Sequence, residues 1–198
     1  LIKQARSESV SLLVLPELCV TGYSCSDLFL QDRLLSAAET AVRRIADSTA
    51  GCDMLVFIGA PVSFMGKLYN CAVALHSGRI LGVVPKTFLP SYNEFYEQRQ
   101  FTKAFEGVKT LNYAGSECCF GTDILFCCKE VRELIVACEI CEDLWIPQAP
   151  SVRHCAAGAS VIANLSASTE SIGKPEYRRE LVSVHSSTNL CGYIYCGA

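Results

Sequence analysis

Leu68-Tyr-Asn-Cys-Ala-Val-Ala-Leu-His-Ser-Gly-Arg-Ile-Leu-Gly-Val-Val-Pro-Lys86 decides the fold. Two apolar segments, 68–75 and 79–84, flank a short link containing Ser77 and Gly78. So short a link cannot hold a helical crossover, so the two segments are expected to pair antiparallel. A purely parallel, doubly wound sheet is thereby disfavoured and a mixed sheet expected. The second segment ends at Pro85-Lys86, which leaves an amine at a strand end.

Further apolar runs read as strands at 11–16, 54–60, 122–127, 132–138, 159–164 and 191–196. Amphipathic stretches read as helices at 33–48, 149–157 and 175–189, with a shorter helical stretch near 92–100. Asp53 and Gly59-Ala-Pro61 bracket the strand at 54–60. This alternation is that of a layered α/β domain. No repeat, low-complexity tract or linker interrupts it, so residues 1–198 are read as one domain. The chain opens in what reads as the tail of a helix and closes in a strand stopped midway. A domain truncated at both ends, part of something longer, is therefore expected, and targeting signals are not legible.

Hydrophobic residues make up 51% and charged residues 19%, which suits a buried sheet and excludes a disordered chain. A net charge of -3 with no basic block offers no footprint for nucleic acid or an anionic membrane surface. The apolar runs are strand-length, short of the ~20 residues a membrane-spanning helix needs. Many of the 13 cysteines sit within or beside apolar runs (Cys71, Cys127, Cys128, Cys191, Cys196), where a thiol acts as a small hydrophobe. A reduced, cytoplasmic protein is expected rather than a disulfide scaffold. No Gly-rich phosphate loop follows a strand, and Gly173-Lys174 lacks the flanking residues of one.

Three strand ends carry reactive groups. Val136-Ala-Cys-Glu-Ile-Cys-Glu-Asp-Leu-Trp145 leaves Cys141 where a strand gives way to polar residues. Leu13-Val-Leu-Pro-Glu17 and Val83-Val-Pro-Lys86 end likewise on a carboxylate and an amine. Together they suggest a thiol nucleophile, a proton shuttle and an oxyanion stabiliser. Taken singly, each has an ordinary reading: one buried cysteine among many, a loop glutamate, a solvated loop lysine. Cys138 and Cys141 also form a Cys-x-x-Cys pair, but the flanking carboxylates disfavour a low-pKa redox thiol and no second pair completes a zinc site. Strand alternation sends Cys138 into the core. His76, His154 and His185 offer no Cys-His signature.

Four segments carry a family resemblance: Pro16-Glu-Leu-Cys-Val-Thr-Gly-Tyr23, Lys86 through Phe101, Cys141-Glu-Asp-Leu-Trp-Ile-Pro147, and Asn164-Leu-Ser-Ala-Ser168 running on to Gly173-Lys-Pro-Glu-Tyr-Arg178. With them the chain resembles the carbon–nitrogen hydrolase (nitrilase) superfamily, and within it the amino-terminal glutaminase domains of glutamine-dependent NAD synthetases. The resemblance implies a four-layer α-β-β-α sandwich. It also implies Cys141 as nucleophile, Glu17 as general base, Lys86 at the oxyanion and Glu97 as a supporting carboxylate. Glutamine recognition is implied at Tyr92, Glu142 and Ser168, with no metal or cofactor in this domain. A carboxy-terminal synthetase domain using ATP and Mg²⁺ is the implied partner, and face-to-face homo-oligomers are expected. A stand-alone amidase (carbamoyl- or ω-amidase) and a catalytically inactive assembly domain are the alternatives.

Overall fold

Two mixed sheets lie face to face in the computed structural model, which describes residues 1–198. The first sheet has six strands: β1 (Leu12–Val14), β2 (Leu55–Phe64), β3 (Lys67–His76), β4 (Arg79–Pro85), β5 (Val108–Tyr113) and β6 (Ser116–Gly121), in the order β1-β2-β3-β4-β6-β5. The second has β7 (Phe126–Cys127), β8 (Ile135–Ile140), β9 (Val161–Leu165) and β10 (Gly192–Cys196), in the order β10-β9-β8-β7. The helices are α1 (Ile2–Ser7), α2 (Asp32–Ser48), α3 (Pro150–Ala156) and α4 (Lys174–Asn189). β3 and β4 pair antiparallel, His76 opposite Arg79, as their short link requires. β1 with β2, β4 with β6, and β8 with both β9 and, through it, β10 supply the parallel part.

Side-chain alternation builds the layers. Val56, Ile58 and Ala60 of β2 with Val73 and Leu75 of β3 pack against Val42 and Ala46 of α2. The opposite faces, Phe57, Ala72, Ala74 and Val84, meet Val136, Cys138, Ile140, Ala163 and Leu165 of the second sheet. Beyond that sheet, Ala137, Ile162 and Cys191 pack with Cys155 of α3. The stack is α-β-β-α. Cys138 lies in the layer between the sheets, as alternation requires, and Cys71 lies among the residues facing α2.

Several expectations need correction. Gly59-Ala-Pro61 does not end its strand; β2 continues to Phe64. β1 pairs only with Leu55, Val56 and Phe57, so no neighbour on that side needs an N–H at Pro61. The expected strand at 122–127 shrinks to Phe126–Cys127, and the hairpin β5–β6 just before it was not anticipated. Its turn is Ala114-Gly115, both at positive φ. The helical stretch expected at 92–100 is one 3-10 turn, Glu97–Arg99. Asn93 at φ 50° interrupts any helix before it. Cys127 is exposed rather than a core residue, and all 13 cysteines are free. No helix is long and apolar enough to cross a membrane.

Candidate active site

The three reactive strand ends converge. β1 stops at Val14, after which Pro16 breaks the ladder and Glu17 turns inward, followed by Leu18 at φ 49°. That turn presses against Gly59 of β2, where a Cβ would fall 2.1 Å from the Leu18 nitrogen and 2.6 Å from the Pro16 oxygen. Only glycine admits the Glu17 backbone so close. β4 delivers Lys86, and β8 ends at Ile140, with Cys141 at φ 44° opening a 3-10 turn, Cys141–Leu144. A non-glycine residue in that region is strained.

Glu17, Lys86, Glu97 and Cys141 are all buried. Lys86 Nζ donates to Glu17 Oε1 at 2.7 Å and to Glu97 Oε1 at 2.6 Å. An ammonium has three donors, so one remains. Asn70 Nδ2 donates to Glu17 Oε1 at 2.7 Å and lies 3.4 Å from Glu97 Oε2, while Tyr23 Oη donates to Glu97 Oε1 at 2.7 Å. Glu17 Oε2 accepts only the backbone N–H of Ala167, at 3.0 Å, and keeps a lone pair open. Ser166 Oγ donates to the Cys141 sulfur at 3.1 Å.

The electrostatics follow from this packing. Burial alone would lower the Lys86 pKa, but Glu17, the Cys141 sulfur and Glu97 together raise it well above normal, so it stays charged. Burial raises Glu97, against the pull of Lys86. Burial and the Glu17 charge push the Cys141 thiol up to about 12, although Lys86 and the Ser166 hydrogen bond oppose them. At neutral pH the group is therefore a thiol.

Asp143, passed over in the sequence beyond its charge, is buried and joins two of the strand exits. Its Oδ1 accepts from the Phe88 amide at 2.9 Å and the Thr87 amide at 3.2 Å; its Oδ2 accepts from Ile140 N at 3.0 Å. The segment carrying Lys86 is thus tied to the turn carrying Cys141. Burial, with Glu139 nearby, pushes this carboxyl up to about 8 despite the amides of Ile140 and Phe88. Asn70 was missed as well. Its signal was a lone amide within the apolar run of β3. Ser166 carried no signal apart from its neighbours.

The three residues implied for glutamine recognition do not share one cavity. Tyr92 Oη donates to Glu142 Oε2 at 2.8 Å, and both line a cleft of about 710 Å³ with Thr87 and Phe88. Ser168 lines a second cleft, about 390 Å³, with Glu97, Tyr23 and Ala167. Thr169 donates to Glu94 at 2.6 Å and bridges the 92–97 segment to the segment after β9. No group of three or more His, Cys, Asp or Glu side chains converges to hold a metal ion.

The four-layer sandwich thus buries a thiol, a lysine and a carboxylate at strand ends, with a second carboxylate from the Glu97–Arg99 turn. The chain belongs to the carbon–nitrogen hydrolase family, matching it over residues 1–194. It is 40% identical over 196 residues to the glutamine-dependent NAD(+) synthetase of Mycobacterium tuberculosis, covering 99% of this chain and 29% of that protein. The enzyme of the same name from Aquifex aeolicus is 31% identical over 189 residues, 96% of this chain and 30% of the relative. The chain thus spans less than a third of the length of these curated relatives. Among solved structures, a glutamine-dependent NAD(+) synthetase from Cytophaga hutchinsonii superposes with a TM-score of 0.87 at 34% identity, over 99% of this chain and 31% of that one. An amidase from Nesterenkonia shares the fold, with a TM-score of 0.73 at 18% identity, over 99% of this chain and 66% of its own.

Proposed function

We propose that this chain is the glutaminase part of a glutamine-dependent NAD(+) synthetase, releasing ammonia from glutamine through a Cys141 thioester. The observation that carries the reading is the buried cluster. Glu17 has one open lone pair beside the thiol, and Lys86 has one uncommitted N–H. Glu17 takes the thiol proton, and the sulfur attacks the side-chain amide carbon. The third N–H of Lys86 and the backbone N–H of Glu142 hold the oxyanion. Glu17 then gives its proton to the amide nitrogen, ammonia leaves and the thioester remains. A water molecule deprotonated by Glu17 attacks the thioester, yielding glutamate and the free thiol. Glu97 keeps Lys86 in place. Tyr92, Glu142 and Ser168 are proposed to contact the glutamine, an acidic group suiting its α-ammonium and hydroxyls its carboxylate or amide.

The ammonia would pass to a carboxy-terminal synthetase domain, which uses ATP and Mg²⁺ to amidate nicotinic acid adenine dinucleotide. The assembly is proposed to be a cytoplasmic homo-oligomer. The test uses the full-length protein. Cys141→Ala should abolish glutamine-driven synthesis and leave ammonia-driven synthesis intact. Loss of both activities, or of neither, refutes the assignment, and glutaminase activity lost only in Cys138→Ala would move the nucleophile.

A further inference from the structure

Ser166 lies just beyond β9, fully buried. Its backbone is fixed on both sides, its N–H donating to the Cys196 carbonyl at 2.8 Å and its carbonyl accepting from Ala198 N at 3.2 Å. Its hydroxyl has one proton and two lone pairs to place. Tyr195 Oη donates to Ser166 Oγ at 2.6 Å, and Ser166 Oγ lies 3.1 Å from the Cys141 sulfur. With the tyrosine proton directed at the serine oxygen, the serine proton is directed at sulfur. Donation into a hydroxyl strengthens that hydroxyl as a donor in turn.

Tyr195 is itself held. Its ring packs under the Arg178 guanidinium, 5.2 Å from the centroid, and Arg178 pairs with Glu170 at 2.6 Å. Burial raises the phenol's pKa, so it remains a donor at neutral pH. The other titratable groups facing the sulfur are Glu17 from the β1 exit, Lys86 from the β4 exit and Tyr92 from the following loop. Glu17 carries no charge once it holds the thiol proton, and Lys86 already shares its donors with two carboxylates. The Ser166 hydroxyl, aimed at the sulfur, gives the thiolate a hydrogen bond of its own.

We propose that Ser166 is a further catalytic residue, its hydroxyl holding the Cys141 thiolate that forms as Glu17 takes the thiol proton, with Tyr195 the positioning residue that aims it. The inference rests on Cys141 being the nucleophile. The thiol proton goes to Glu17 Oε2 throughout, and the serine keeps its own proton. Ser166 thus stabilises charge without entering the proton inventory. A serine that merely fills a buried position would leave thiol reactivity unchanged when replaced.

The experiment compares full-length wild type, Ser166→Ala, Tyr195→Phe and the double variant. One readout is the rate of Cys141 alkylation by iodoacetamide from pH 6 to 10, followed by peptide mass spectrometry. The other is kcat and KM for glutamine hydrolysis. Ser166→Ala should lower kcat about ten- to a hundred-fold with KM within about twofold, and displace the alkylation profile upward by about one pH unit. Tyr195→Phe should move both readouts the same way by less, and add nothing in the Ser166→Ala background. A Ser166→Ala profile superimposable on wild type overturns the inference. So does a Tyr195→Phe effect that persists undiminished in the double variant. Should Ser166→Ala lose its thermal transition, Tyr195→Phe decides alone, and an unshifted profile there refutes the inference. Glutamine hydrolysis surviving in Cys141→Ala would instead overturn the underlying nucleophile assignment, and the inference with it.

Discussion

Lys86→Met removes the one cation between two buried carboxylates while keeping most of the side-chain volume. Lys86 contacts Glu17 and Glu97 at 2.7 and 2.6 Å, with all three side chains excluded from solvent. Without the ammonium, Asn70 is the remaining side-chain donor between the two carboxylates, and both cannot stay ionised. One takes up a proton, so its folded-state pKa rises above the ~4.3 of an unfolded glutamate. The stability of that protonated form is fully present below pH ~4.3 and is lost as pH rises, at about 1.4 kcal/mol per pH unit. From there to pH 7 the loss is about 4 kcal/mol, within the ~3–5 kcal/mol cost of breaking a buried pair by removing one partner. In wild type Lys86 stays charged across the whole window and opposes the uptake of that proton, so the slope from this site is smaller. Urea unfolding from pH 4.5 to 8, followed by the fluorescence of Trp145, the chain's single tryptophan, measures the difference. The deficit of Lys86→Met should be small at pH 4.5 and about 4 kcal/mol at pH 7. A deficit that is flat with pH, or below about 1 kcal/mol at pH 7, refutes the reasoning.

Gly59→Ala drives a methyl group into the Leu18 backbone and should cost about 2–3 kcal/mol together with most of the activity. A variant with wild-type glutaminase rates would show that the Glu17 turn tolerates the shift. In Asp143→Asn one acceptor oxygen is lost, loosening the tie between the Lys86 and Cys141 exits; kcat should fall at least tenfold. Burial holds the Asp143 carboxyl up to about 8, so its contribution to stability is full below pH ~3.9 and fades as pH rises through about 8. Asp143→Asn should flatten that part of the stability–pH curve, and an unchanged slope would count against the assignment. Tyr92→Phe deletes only the hydroxyl bonded to Glu142. KM for glutamine should rise several-fold with kcat nearly unchanged, and a fall in kcat alone would place Tyr92 in the chemistry instead.

The strand ends were legible because proline and charge interrupt apolar alternation there. Pro16-Glu17, Pro85-Lys86 and Ile140-Cys141 each mark where a ladder stops, and all three lie at the site. The β3–β4 hairpin was legible because so short a link permits one geometry. The β5–β6 hairpin had a usable signal, the Ala114-Gly115 turn, but its strands mix Lys109, Asn112 and Glu117 with apolar residues and so lack a continuous apolar run. Asp143 was not legible as a tie, because its partners are backbone amides 55 and 56 residues away in sequence.

Sequence alone therefore determined the α/β class, the antiparallel pair at the centre of the first sheet and the residue types at three strand exits, since these depend on periodicity and local chain geometry. Tertiary structure decided which groups meet. Asn70 from β3, the Ala167 amide beyond β9 and Tyr195 from β10 reach one buried cluster only because two sheets stack with their strand ends aligned. Hydrogen-bond partners across such a stack are set by register and packing, and local sequence does not encode them. That is also why one free lone pair on Glu17 and one free donor on Lys86, on which the proposed chemistry rests, could be counted only in three dimensions.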